Sequence, residues 1–291
     1  MTGRPTRVQA KVLKAIHHQA AEINGIVDRA ERESARTSAR PSPDWYRELE
    51  KRVRVQQALE TAAVAAGVPQ EWVDQVRERG ELRMAWRAKL HWRTPAPVDR
   101  EVLARRLRAE IARVQDLAAV AAAYGERGAQ AEPGTASLFD RELRRSSDRV
   151  AALTAIFEPS DTEAEQLWGE HTWTAAADSV RDADPATLAE RWRAHVRADT
   201  SERTHQTVAL AAAGLSGDLS TDPTPASGQM VDRIRDLLAR EPTPASLDTG
   251  HRITTAVDAA ALTTGTEFDT TTPTATPAAA PGRAVDRGPE P

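Results

Sequence analysis

VDREVLARRLRAEIARVQDLAAVAAAYG, residues 98–125, is the stretch that decides the fold. Leu103, Leu107, Ile111, Val114 and Leu117 recur every three or four residues, which lays one apolar stripe along a helix of period 3.6. Asp99 is a good N-cap because its carboxylate accepts from the unpaired amides of the first turn, and Val98 and Leu103 stand at the two staple positions around it. Gly125 reads as the stop. Hiding five such side chains from water is worth about 1.5–3 kcal/mol each, so this helix needs partners.

The same periodicity runs along the rest of the chain. Residues 6–36 read as a first helix carrying Val8, Val12, Ile16, Ala20, Ile23 and Val27, with Gly25 as a weak point inside it. Thr37–Pro43 is a break. Ser42-Pro43 then opens a second helix with Trp45, Leu49, Val53, Gln56 and Leu59 that runs to Ala66. Gln70–Arg79 is a third helix with Trp72, Val73 and Val76 inward, and Glu81–Arg93 continues as a helix past Gly80 with Leu82, Trp86 and Leu90 on one face. Beyond a polar connection at 126–134, a helix carries Leu138, Leu143, Val150, Leu153 and Phe157. A capping box at Ser160 and Glu163 precedes Leu167, Trp168 and Val180. Asp184-Pro185 opens a helix with Leu188, Trp192 and Val196. Val208–Leu215 and Met230–Ala239 complete the set. Trp45, Trp72, Trp86 and Trp192 are the expected packing anchors.

No stretch alternates β-branched residues between turns, so the expected fold class is all-α: about eight to nine helices in one bundle or two sub-bundles. The expected organisation is a basic helical part at 1–125, the connection at 126–134, an acidic helical part at 135–240 and a disordered Thr/Pro/Ala-rich tail at 241–291. Ile253–Leu262 in that tail is at most a frayed helix. The charge supports this division. Residues 1–125 carry 23 Lys/Arg against 16 Asp/Glu, and residues 126–291 carry 16 against 27, within a chain of 291 residues and net charge −4. Only four of the 39 basic residues are lysine. An Arg- and Ala-rich composition of this kind suits a bacterial genome of high GC content.

Several function classes lose support. The chain has no cysteine, which excludes disulfides and thiol chemistry. The basic start lacks an apolar run of leader length, and nowhere do 18 apolar residues follow one another, so a cytoplasmic protein without a membrane span is expected. No G-x-S-x-G elbow and no glycine-rich phosphate loop occurs. His18 and Glu22 stand one turn apart behind His17, and Glu170-His171 could join them, but a metal site needs three or four converging ligands; these histidines read as solvent-exposed. His195 reads as a satisfied side chain near the core. No catalytic residue, metal ligand or cofactor is assigned.

One motif bears on nucleic acid. LETAAVAAGVPQEWVDQVRE, residues 59–78, places small Ala62, Ala63 and Ala66 before Gly67 and sets Val73 and Val76 inward on the following helix. Over about 20 residues this spacing resembles the bacterial DNA-binding helix-turn-helix pattern. The resemblance implies that Gln70 and Gln75 would face bases. Glu71 and Asp74 would meet phosphate repulsion at the same end, so an ordinary helical hairpin turned at Gly67-Val68-Pro69 is the preferred reading. Downstream, residues 77–113 hold eleven Lys/Arg against five Asp/Glu. Arg83, Arg87, Lys89, Trp92 and Arg93 form the candidate anionic-ligand surface there. The reading carried forward is a non-enzymatic helical protein that acts on a protein partner in a scaffold or accessory role. The alternative is a nucleic-acid-binding protein using residues 59–113.

Overall fold

In the computed structural model, residues 3–87, 90–127, 134–215 and 224–240 are described, and every regular element among them is an α-helix. The helices are α1 (Arg7–Thr37), α2 (Pro43–Ala65), α3 (Gln70–Glu81), α4 (Arg100–Glu126), α5 (Thr135–Phe157), α6 (Asp161–Trp168), α7 (Glu170–Arg181), α8 (Pro185–Arg197), α9 (Ser201–Ala212) and α10 (Ser227–Ala239). The tail at 241–291, with its expected frayed helix, lies outside the described residues.

The quoted stretch is the central helix. α4 packs against α5, α6, α7, α8 and α10, and all five stripe residues are buried along it. Asp99 caps it through the Val102 amide at 3.1 Å. The stripe is wider than its spacing suggested. Ala118, Ala119, Val120, Ala122, Ala123 and Tyr124 are buried as well, so the last turns are covered on nearly every side. Small alanines let the surrounding helices approach closely there. Gly125 does not stop the helix, which continues to Glu126. On the other flank α1 packs against α3, and α2 reaches α9. Leu59 and Val73 from the front helices share one continuous core with Phe139 and Trp173 from the back ones.

Caps fall where the sequence placed them. Ser42 accepts from the Trp45 amide, Asp184 from Thr187, and Ser160 with Glu163 forms the reciprocal box. Four expectations need correction. The helix expected over 81–93 ends at Glu81. Arg83 takes a left-handed φ of 51°, and its amide donates to the Gly80 carbonyl, while the Met84 amide donates to the Arg79 carbonyl at 2.9 Å. That pair of bonds is a Schellman stop. Leu82 is therefore 73% exposed, and Trp86 and Leu90 are half-buried at positions outside any helix. The helix expected through Leu167–Val180 breaks at Gly169, whose extended backbone lies so close to the Glu165 carbonyl that a Cβ would sit 2.3 Å from it. Leu138 and Val208 are exposed while Phe139, Ala209 and Leu210 are buried; Leu143, Val150, Leu153 and Phe157 of α5 and Leu215 after α9 are buried as their spacing suggested, so only the first apolar residue expected in each helix is out of place. Among the tryptophans, Trp72 and Trp192 are buried, Trp45 and Trp86 only half so, and Trp168 and Trp173 are buried anchors.

Arg100 ties the start of α4 to the α5–α6 corner. Its guanidinium meets both Glu163 oxygens at 2.8 Å, bonds the Glu158 carbonyl at 2.9 Å and lies 4.2 Å over the Phe157 ring. The Arg100 bond, helped by the Ser160 backbone and hydroxyl, holds the Glu163 carboxyl down at about 2. A carboxyl held lower in the folded chain stabilises it above the ordinary value of 4.5, and that stability is lost as pH falls through the folded value. Glu163→Gln is expected to cost about 2 kcal/mol at neutral pH and to flatten the fall in stability between about pH 4.5 and pH 2. Urea unfolding across that range measures it; parallel acid limbs in the two proteins would refute the assignment.

Candidate functional site

The basic segment after α3 is held to the surface of the bundle by the residues that suggested a nucleic-acid face. Gln75 donates from its amide nitrogen to the His91 carbonyl at 2.8 Å and accepts from the Arg93 amide at 3.0 Å. The Trp72 indole donates to the Arg93 carbonyl at 2.9 Å, and Trp92, half-buried, packs on the Trp72 ring at 5.4 Å. Arg93 pairs with Glu78 through both terminal nitrogens. Arg83 pairs with Asp28 on α1 and donates to the Asn24 carbonyl at 3.0 Å. Gln70 is exposed and bonds Asp74 at 3.0 Å. Lys89 lies outside the described residues. Arg87 is exposed and makes no ion pair with a described residue. The structure therefore brings Gln75, Trp92 and Arg93 together as a clasp on the 90–93 segment, places Arg83 apart from them on α1, and leaves Arg87 extended into water. The Arg93 pair raises the Arg93 guanidinium and lowers the Glu78 carboxyl through their mutual hydrogen bond.

The histidines expected in solvent divide. His18 is exposed, but His17 is buried at 4% exposure and packs edge-on against Trp86 at 5.5 Å. Its Nε2–H donates to the Met84 carbonyl at 2.8 Å. Burial is the largest influence on it and lowers its proton affinity, with the charges of His18 and Arg79 acting in the same sense. Glu22 is engaged by Arg52 at 3.2 Å, and Glu170 by Arg233. Among the described residues no three His, Asp or Glu side chains converge as metal ligands would.

A groove of about 490 Å³ runs between α4, α6 and α7, lined by Arg108, Ile111, Gln115, Asp116, His171 and Thr172 among others. At its end Asp116 accepts from His195 at 2.9 Å and from Arg191. Burial raises the Asp116 carboxyl, but His195 and Arg191 together outweigh it and the net shift is downward. The pair could polarise a bound group. The nearby Ser179 hydroxyl donates to the Ala176 carbonyl at 2.8 Å and meets Arg191, not His195, so the three are not in relay.

The feature that sequence reasoning missed is a projecting arm. No residue from Ala21 to Gln57 is buried, although nearly all of that run is helix. The buried residues of α1 end at Ala20, and those of α2 begin at Ala58. The outer half of α1 and the outer half of α2 thus form an antiparallel hairpin that leaves the bundle. Ile23, Val27 and Ala30 on α1 and Trp45, Leu49 and Val53 on α2 are all half-exposed along it, and Tyr46 is 54% exposed against the Trp45 ring at 4.8 Å. Ion pairs along its flanks, Arg36–Glu33 at 2.7 Å and Arg52–Glu48 at 2.9 Å, are of the exposed helical kind that adds only a few tenths of a kcal/mol each. At the root, Asn24 donates to the Glu81 carbonyl, and Arg83 completes the grip on α1. An amphipathic hairpin of this kind presents a partly apolar face with no other part of the described chain to cover it. The available signal was a 4–3 spacing in both helices, Ile16-Ala20-Ile23-Val27-Ala30 in one and Trp45-Leu49-Arg52-Gln56-Leu59 in the other. That spacing continues through the root without marking where the cover ends.

No protein-family model, curated protein or solved structure matches this chain. Among the described residues no helix is long and apolar enough to cross a membrane.

Proposed function

We propose that the protein is a non-enzymatic helical adaptor, with a scaffold or accessory role in the bacterial cytoplasm, that works by presenting the α1–α2 arm to a protein partner. The observation that carries this reading is the run of 37 residues, 21–57, that is helical apart from the turn at 38–42 and periodically apolar yet contains no buried side chain. An arm with that composition gains stability from being covered, and the described chain does not cover it. Its charge favours protein over nucleic acid. The run holds eight basic and seven acidic residues, interspersed, whereas a phosphate-tracking surface would be strongly basic. The downstream arginines lend less to a nucleic-acid surface than their number suggested, since Arg83 and Arg93 are engaged by Asp28 and Glu78.

The test is co-purification from nuclease-treated lysate with the wild-type chain and with a Tyr46→Glu/Val53→Glu double variant. The wild type is expected to retain a defined protein partner and the variant to lose it. The variant's stability should stay within about 1–2 kcal/mol of the wild type, because Tyr46 is exposed and Val53 is only half-buried. A partner retained equally by both would remove the arm from the reading. Binding that disappears with nuclease, and that weakens steeply as salt rises, would move it to nucleic acid.

A further inference from the structure

Resting on that reading of the arm, we infer that the partner seated on it is a second copy of this chain, joined in antiparallel, two-fold fashion through α2. Three observations point to this occupant. The first is a self-complementary stripe. Tyr46, Leu49 and Val53 are spaced three and four residues apart on the outer part of α2; Tyr46 is 54% exposed, and Leu49 and Val53 are half-buried, neither of them fully covered. A two-fold axis beside Leu49 sets Tyr46 of each copy against Val53 of the other and brings the two Leu49 side chains together. A self-complementary patch of this sort is what a two-fold contact requires.

The second is charge. The tip of the arm, residues 30–50, carries five acidic and four basic side chains, and its root, 21–29 with 51–57, carries two acidic and four basic. Antiparallel pairing lays each net-acidic tip on a net-basic root; parallel pairing would oppose like to like. The third is size. The exposed helices are about 22 Å long and together about 20 Å wide, so a four-helix pairing buries on the order of 1,200 Å² in total, at the lower end of what a stable complex needs. The geometry is that of a short antiparallel four-helix bundle with side chains interlocked at a/d-type positions.

The full chain, examined by size-exclusion chromatography with light scattering from about 1 to 100 µM, is expected to show twice the 31.7 kDa chain mass at the upper end. Dilution should dissociate it. Tyr46→Glu/Val53→Glu should give the single-chain mass throughout, with its helical circular dichroism unchanged. Because the chain has no cysteine, Leu49→Cys supplies one thiol per molecule on a clean background. Mild oxidation should convert most of it to a covalent dimer, while Ala39→Cys at the tip, far from the axis, should cross-link at least tenfold more slowly. A single-chain mass at every concentration, or equal cross-linking at positions 39 and 49, overturns the second copy as occupant. A dimer that survives the double variant overturns the arm as its seat. In the first of these cases the reading of the arm as a protein-contact surface still stands or falls on co-purification.

Discussion

Gly80→Val is expected to lower the stability of the folded chain by about 4 kcal/mol, which for a folded part of this size is a fall of roughly 8–16 °C in the unfolding midpoint. Gly80 is where α3 crosses α1. A Cβ at that position would lie 2.4 Å from the His17 carbonyl oxygen and 2.8 Å from the Ala20 Cβ. The first neighbour is helical backbone and cannot rotate away, so the two helices must separate. Their contact holds Trp72, Val73 and Val76 in the core, and the loss spreads to those side chains. Gly80→Ala should cost less, about 2 kcal/mol, since alanine recovers about 1 kcal/mol of helix propensity that glycine lacks. Thermal unfolding followed by tryptophan fluorescence reads both. A midpoint within 2 °C of wild type for the valine variant would mean that the crossing is not tight. The same substitution should also loosen the root of the arm, because the Glu81 carbonyl and Arg83 that grip Asn24 and Asp28 follow directly from Gly80.

Gly80 also shows what the sequence could and could not convey. Its position in an apolar-periodic run suggested a bend within a longer helix. Nothing local distinguishes a glycine that bends a helix from one that admits a neighbouring backbone; that depends on α1, some sixty residues earlier. The helical class, the central stripe of α4 and the caps at Ser42, Asp99, Ser160 and Asp184 were legible because each depends on residues within one or two turns. Wherever long-range cover decides the outcome, the pattern misled or was silent. Leu82, Trp86 and Leu90 have helical spacing, but the helix stops at the left-handed Arg83, which leaves Leu82 exposed and Trp86 and Leu90 packed on the core from outside any helix. Arg83 and Arg93 looked like free cations, yet their carboxylate partners lie on α1 and α3, 55 and 15 residues away in sequence. The buried Trp173 was passed over because its neighbours Thr172 and Thr174 dilute the apolar pattern, though at 0% exposure it is among the best-covered side chains of the core. The arm was invisible for the opposite reason. Its apolar positions continue the pattern of the buried root, and periodicity records which face is apolar, not whether anything lies on it.

The root of α2 is a second anchor of the arm, and Arg149 stands beside it; its truncation is expected to be comparably damaging. Arg149 is 7% exposed on α5; its Nε donates to the Gln206 side-chain oxygen of α9 and a terminal nitrogen to Glu110 of α4, both at 2.8 Å. It lines a small cavity with Ala65 and Ala66 at the end of α2, beside Leu107 and Phe157. Arg149→Ala leaves the nearly buried Gln206 oxygen without this donor and Glu110 without its cation, and should cost about 3–4 kcal/mol. Glu110 is about one-third exposed and can turn to water; Gln206, 3% exposed, cannot. The larger share of the penalty therefore sits at Gln206, and this is separable. Arg149→Met keeps the apolar bulk and should cost about 2 kcal/mol, and adding Gln206→Leu should recover about 1 kcal/mol of it, so that the double variant is more stable than the Met single variant. Strict additivity in that cycle would show that the two side chains do not act together. Hydrogen exchange adds a readout specific to the arm. If Arg149 sets the junction of α2 with α4 and α5, the amides of residues 58–66 should exchange faster in Arg149→Ala under conditions where the distant α7 amides are unchanged.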